Sequence, residues 1–309
     1  MMNRTDRHFR VFMRQWTQRA LLYTEMIPTR RLLGGERDAL LDHAPEERPL
    51  MLQLGGDDPG ELAECARLAE AWGYDGVNLN VGCPSARVRR GNYGVSLMAR
   101  PDLVARCVEA MRGACGLPVT VKHRIGFDEL DRYEDMERFV RIVAGAGCGW
   151  FTVHARKAWL GGLSPEENRT VPPLRYEEVA RLKRALPWLG IEINGGVTTL
   201  EAARAHLERV DAVMIGRAAW DNPALFAEVD RRFFGVAGRA KTRHEAVEGW
   251  LPYAARQVEA GAPLRVVVRP LLTLFNHRPG AQGWRRRLSQ CAPGDGIEVV
   301  RAALAAAPR

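Results

Sequence analysis

The sequence predicts an α/β protein: a (β/α)8 TIM barrel whose first strand is absent or truncated, followed by a small C-terminal helical domain. Three observations predict it. Short apolar runs alternate with longer amphipathic stretches through the first three quarters of the chain, polar residues gather where those runs end, and the alternation stops after Gly235.

Taken in order, Leu22–Met26 and Leu50–Leu54 read as buried strands, and Gly60–Trp72 follows as an amphipathic helix. Val77–Val81 is the next strand, with the helix Asp102–Ala114 after it. Val119–Lys122, Phe151–His154 and Ile191–Asn194 continue the series, separated by helices Tyr133–Ala146 and Arg175–Ala185. Leu200–Glu208 then leads into the strand Ala212–Ile215. Each run is rich in Val, Ile, Leu or Phe and ends in a polar or glycine-containing turn, which implies parallel strands with helices outside. Seven strands are visible where a closed barrel needs eight. No Gly-x-Gly-x-x-Gly turn follows the early strands, so a doubly wound sheet fits less well. Polar groups at many different strand ends fit a barrel rim. The barrel therefore occupies residues 1–235. Residues 236–309 read as helices His244–Ala260, Leu264–Phe275 and Trp284–Gln290.

Charge divides along the same boundary. The 309-residue chain has 45 Lys and Arg against 37 Asp and Glu, a net charge of +8. Residues 236–309 hold 12 of those basic and 5 of those acidic residues, so nearly all the excess lies there. That segment is either a surface for a polyanion or a solvated basic helical face. No run of about 20 apolar residues suggests a membrane span. The N-terminus is charged from the start, without the apolar stretch of a secretory signal. Six scattered cysteines, none in a Cys-x-x-Cys pair, argue against a disulfide framework or a structural metal site and for a reducing cytoplasm.

Several rim residues are candidates for chemistry. Asn194-Gly195-Gly196 and Gly216-Arg217 follow the last two strands, where barrels commonly hold a phosphate against glycine backbone and a cation. Cys83 sits just past a strand in Asn78-Leu79-Asn80-Val81-Gly82-Cys83-Pro84-Ser85, and the flanking Gly and Pro favour an active thiol over a packing residue. Cysteines 65, 107, 115 and 148 read as core. Lys122 ends a strand, where an unpaired ammonium is costly to bury. A Schiff-base lysine and a lysine facing an anionic cofactor ring fit its spacing equally. His154, ending the next strand, is a rim group or a satisfied core histidine.

Taken together, the motifs resemble the tRNA-dihydrouridine synthases over almost the whole chain. The resemblance is carried by Met2–Arg10, Tyr23-Thr24-Glu25-Met26, Leu52-Gln53-Leu54, Asn78–Ser85, Val121-Lys122-His123-Arg124, His154-Ala155-Arg156, Asn194–Gly196 and Gly216-Arg217. Glu167-Asn168-Arg169, Pro172-Pro173-Leu174 and Trp284-Arg285-Arg286 resemble the bacterial branch acting on positions 20 and 20a of the tRNA D-loop. The resemblance implies an FMN-containing barrel with NADPH as reductant, a helical tRNA-binding domain, and Cys83 as the acid that protonates C5 of uracil. It further implies cofactor contacts from Gln53, Lys122, His154, Asn194, Gly195, Gly196, Gly216 and Arg217, and tRNA contacts from Asn80, Arg169 and Arg285. Arg124 and Arg156 are added as candidates for the base or a nearby phosphate. The family normally opens with a strand ending Ala-Pro-Met. This chain begins within that motif, so an upstream start codon is expected, and Asn3 stands where an acidic residue is usual. A cytoplasmic monomer without a metal is expected. The alternatives are an FMN barrel reducing a small enone or pyrimidine, and an RNA-binding relative that has lost catalysis.

Overall fold

A computed structural model describes residues 1–307. Pro308 and Arg309, the last two residues of the expected helical domain, lie outside the described residues. The described chain forms two compact units: Tyr23–Asp42 with Leu50–Ile215, and Met1–Leu22 with His43–Pro49 and Gly216 onward.

The larger unit is built on seven strands: β1 (Leu22–Pro28), β2 (Leu50–Gly55), β3 (Gly76–Val81), β4 (Val119–Arg124), β5 (Trp150–His154), β6 (Gly190–Asn194) and β7 (Ala212–Met214). They lie in the sheet in sequence order, and every pairing from β2 to β7 is parallel. A doubly wound sheet reverses its strand order at a switch point, whereas consecutive winding with outer helices is the barrel's pattern. The α/β barrel architecture is thus the one expected. β1 and β7 are the two ends of the seven-stranded sheet.

Side-chain period sorts the strands into two faces. Leu52 and Leu54, Val77 and Leu79, Val119 and Val121, Phe151 and Val153, and Ile191 and Ile193 alternate with polar neighbours and are almost completely buried. This apolar face meets helices Pro59–Ala71, Pro101–Ala114 and Tyr176–Ala185. Burying each such side chain contributes roughly 1.5–3 kcal/mol. The helices begin where their sequences say they should. Asp58 accepts from the Glu61 amide at 2.8 Å ahead of Pro59, and Thr199 accepts from the Ala202 amide at 3.1 Å ahead of Leu200–Leu207.

The smaller unit does not follow a simple cut at residue 235. Helix Arg7–Met13, capped by Asp6, is buried on most of its residues and packs Phe12 edge-on against Trp250, with ring centroids 6.0 Å apart. Arg10 pairs with the buried Glu47 at 2.5 Å, while Arg14 donates to the carbonyls of Glu47, Pro49, Thr17 and Ala20. Charge alone would leave such an arginine-rich segment at the surface. Its burial depends on acceptors 33 to 37 residues away, beyond any local pattern. Helix Arg243–Glu259 carries a capping box in which Thr242 and Glu245 exchange backbone bonds at 2.8 and 3.2 Å. The expected helix Leu264–Phe275 is shorter, Leu264–Val267, and gives way to 3-10 turns at Pro270, which lacks the N–H that would continue it. Helix Glu298–Ala305 had no counterpart in the sequence reading.

Candidate functional site

The second face of the sheet is polar. The strand register sets Asn80, Lys122, Thr152 and Glu192 side by side in one row across β3 to β6. Arg124, His154 and Asn194 form the next row towards the C-terminal ends of β4 to β6. Gln53, Asn78 and Thr120 form the row below. Parallel partners point the same way, so side chains from five strands converge on one surface.

They are tied together by amide groups. Gln53 donates to Asn78 Oδ1 at 2.9 Å and accepts from Asn80 Nδ2 at 2.9 Å. Asn78 in turn donates to Thr120 Oγ1 at 2.8 Å. Each amide has two N–H donors and two acceptor lone pairs, so Gln53 keeps a free N–H and a free lone pair for a ligand. Asn80 also accepts from the backbone N–H of Gly82 at 3.1 Å and of Cys83 at 3.0 Å, which shapes the loop that carries the thiol. On the other side of that loop the Val95 amide donates to the Cys83 carbonyl at 3.0 Å. Gly94 makes this approach possible, since a Cβ there would lie 2.6 Å from the same carbonyl at φ +74°. Cys83 is half-buried, with Ser85 Oγ 3.6 Å from its sulfur.

Lys122 donates to Asn194 Oδ1 at 3.0 Å, and Asn194 donates to the Met214 carbonyl at 2.8 Å. Burial and the nearby Arg124 cation push the Lys122 ammonium down to about 8, against the opposing pull of Glu192 and Cys83. It stays mostly protonated at neutral pH, with two N–H donors left. Thr152 donates to Glu192 at 2.5 Å, and burial drives that carboxyl upward towards its neutral form. Burial and the same carboxyl raise Tyr23 as well. The result is a cationic, amide-lined surface suited to a planar polar ligand with developing negative charge.

At the end of β6, Gly195 and Gly196 adopt φ +112° and +72°. A Cβ on Gly195 would lie 2.6 Å from the His154 ring, and one on Gly196 would lie 2.5 Å from Leu174. His154 itself is almost wholly buried. The turn is thus free of side chains of its own, with Gly195 packed under His154 and Leu174 and Gly196 exposed, so that its backbone is open to a phosphate at Gly196.

The remaining expected residues fall into two groups. Arg124, Arg156 and Arg169 belong to the same unit as this surface. Arg124 is nearly buried, with its guanidinium on the carbonyls of Gly82, Lys157 and Asn168. Arg156 donates to the carbonyls of Thr170 and Pro172. These bonds brace loops. Gly216, Arg217 and Arg285 belong to the other unit. Gly216 has a negative φ and precedes the short helix Arg217–Asp221, and Arg285 hydrogen-bonds Asn276. Sequence reading missed Asn78, Thr120, Thr152, Glu192 and Tyr23. Their signal was present as period-two polarity inside strands that read simply as buried. Among the described residues no group of three or more His, Cys, Asp or Glu side chains could hold a metal, and no helix is long and apolar enough to cross a membrane.

Comparison with known proteins gives concordant matches. A family model described as dihydrouridine synthase matches residues 1–306. The tRNA-dihydrouridine(20/20a) synthase of Synechocystis sp. is 57% identical, the match covering 99% of this chain and 92% of that protein. The proteins of the same name from Shewanella oneidensis and Vibrio cholerae are 51% and 50% identical, covering 98% and 100% of this chain and 91% and 95% of theirs. Among solved structures, the old yellow enzyme homologue from Zymomonas mobilis superposes with a TM-score of 0.52 at 15% identity, over 80% of this chain and 89% of that one, a likeness of fold alone.

Proposed function

Because this chain belongs to the dihydrouridine synthase family, we propose that it reduces the C5–C6 double bond of uridine in the tRNA D-loop, at positions 20 and 20a, using FMN and NADPH. The observation that carries this reading is the shared register of Asn80 and Lys122, which brings the Cys83 loop and a buried ammonium to one mouth.

The residues present fit a flavin. Gln53 and Asn194 offer hydrogen bonds to a polar ring edge, Lys122 offers charge, and His154 packs against the Gly195-Gly196 turn, where a phosphate would lie. Gly216 and Arg217 are assigned to the phosphate on family resemblance alone. FMN reduced by NADPH would supply hydride to C6 of the uracil. That addition leaves enolate character between C5 and O4, and Cys83 delivers the proton that completes the reduction at C5. Asn80 holds the Cys83 backbone in place for that delivery. Lys122 and Arg124 place two positive charges near the thiol, where developing negative charge is stabilised. Arg169 and Arg285 are assigned to the tRNA backbone, with the remaining amide hydrogen of Asn80 directed to the base. The basic surplus of residues 236–309 suits an RNA phosphate chain and a cytoplasmic substrate. The base must leave the stack to reach such a mouth, at a cost of a few kcal/mol that backbone contacts offset.

The test is dihydrouridine formation on unmodified tRNA with NADPH, read by mass spectrometry, together with the visible spectrum of the purified protein. Flavin bands that bleach with NADPH, and a Cys83→Ala variant that binds tRNA without turnover, are expected. Full turnover by that variant would remove Cys83 from its role. Absence of dihydrouridine from the unaltered protein carrying bound flavin would defeat the whole reading.

A further inference from the structure

Arg124 stands out because its buried cation is satisfied by backbone carbonyls of two different loops. Nε donates to the Gly82 carbonyl at 2.9 Å, directly before Cys83. Nη1 donates to the carbonyls of Lys157 and Asn168 at 3.1 and 3.0 Å, in the loop after β5. Asn168 is itself buried and organises that loop. Its Oδ1 accepts from the Trp159 amide at 2.7 Å, and its Nδ2 donates to the carbonyls of Trp159, Leu163 and Ser164 at 2.8, 3.3 and 3.2 Å. The same loop carries Arg169, and Lys157 lies over the Trp159 ring at 3.9 Å.

We propose that Arg124 is a positioning residue that couples the Cys83 loop to the loop 157–171, so that ordering the second loop fixes the thiol in the first. A hydrogen bond to a buried cation is stronger than a neutral one, and a buried cation that loses acceptors pays a large desolvation penalty. Neither loop can leave Arg124 without weakening the anchor of the other. A substrate that engages Trp159 or Arg169 thereby steadies the proton donor, although neither residue belongs to the Cys83 loop. The benefit to catalysis rests on the proposed role of Cys83, but the coupling does not.

Iodoacetamide alkylation of each cysteine, quantified by peptide mass spectrometry, tests it alongside hydrogen exchange of residues 82–95. Arg124→Gln removes the shared anchor, and Asn168→Ala loosens only the remote loop. In Arg124→Gln, hydrogen exchange of residues 82–95 should quicken roughly tenfold, as expected when a charged hydrogen bond to their loop is lost, and in Asn168→Ala exchange there and alkylation of Cys83 should both rise. Half-exposed Cys115 and the buried Cys65, Cys107 and Cys148 should react as in the unaltered protein, which distinguishes coupling from general loosening. The double variant should add little to either single one. If Asn168→Ala speeds exchange across 157–171 while residues 82–95 and Cys83 are unchanged, the loops are independent and the proposal fails. Should Arg124→Gln not fold, Asn168→Ala alone decides. A protein inactive on uridine that still shows the coupling would overturn the proposed function and leave this inference standing.

Discussion

Replacing His123 by Leu should make the larger unit markedly less sensitive to acid. The strand that turns Lys122 and Arg124 to the polar face turns His123 to the apolar one, where it is fully buried. Its ring lies near Phe139 and Phe151, with centroids 5.1 and 5.9 Å away. Nδ1 donates to the Arg124 carbonyl at 2.7 Å, and Nε2 has no hydrogen-bond partner. Burial, with a smaller push from Lys122, lowers the imidazole to about 4. The unfolded chain, titrating near its ordinary value of about 6.5, therefore binds more protons than the folded one between pH 4 and 6.5. Stability contributed by the neutral ring is complete above that window and falls as pH drops through it. At about 1.4 kcal/mol per unit the loss reaches about 2 kcal/mol at pH 5 and about 3 kcal/mol at pH 4. The lost Nδ1 bond costs the Leu variant about 1 kcal/mol at every pH. Urea unfolding at pH 7.5 and pH 5 separates the two effects: the variant starts about 1 kcal/mol weaker and, after a relative shift of about 2 kcal/mol, is about 1 kcal/mol the more stable at pH 5. Parallel pH dependence in the two proteins would refute the reasoning.

Two further substitutions test the site and the second unit. Gly195→Ala sets a methyl 2.6 Å from the His154 ring at φ +112°, so backbone strain of about 1–3 kcal/mol and displacement of His154 are expected. Loss of bound flavin absorbance together with a lower unfolding midpoint would show it, and an unchanged spectrum would mean that the turn does not shape the ligand site. Glu47→Ala leaves Arg10 buried without its carboxylate and should cost about 3–5 kcal/mol. Denaturant unfolding that registers less than about 1 kcal/mol would show that water replaces the pair.

The fold was legible because its signals are local. Apolar alternation within five or six residues defines a strand, and the order of strands and helices then limits the topology to a barrel. The rim residues were legible for the same reason: Cys83 in its Gly-Cys-Pro turn, Lys122 and His154 at strand ends, and the Gly195-Gly196 turn stand out by residue type and position. Sequence motifs also singled out Arg124, Arg156 and Arg169, but not what their side chains hold.

Those partners are a matter of tertiary structure. An arginine fork takes any carbonyl within reach, and carbonyls are the same at every residue, so no pattern announces that Arg124 will hold Gly82 and Asn168. The burial of Arg10 and Arg14 depends likewise on Glu47 and its neighbours, which is why a charged N-terminal segment became part of a helical core. Residue types and their spacing determined the barrel and the polar groups at its rim. Only the folded chain decided which groups are desolvated, because desolvation is set by what surrounds a group in space.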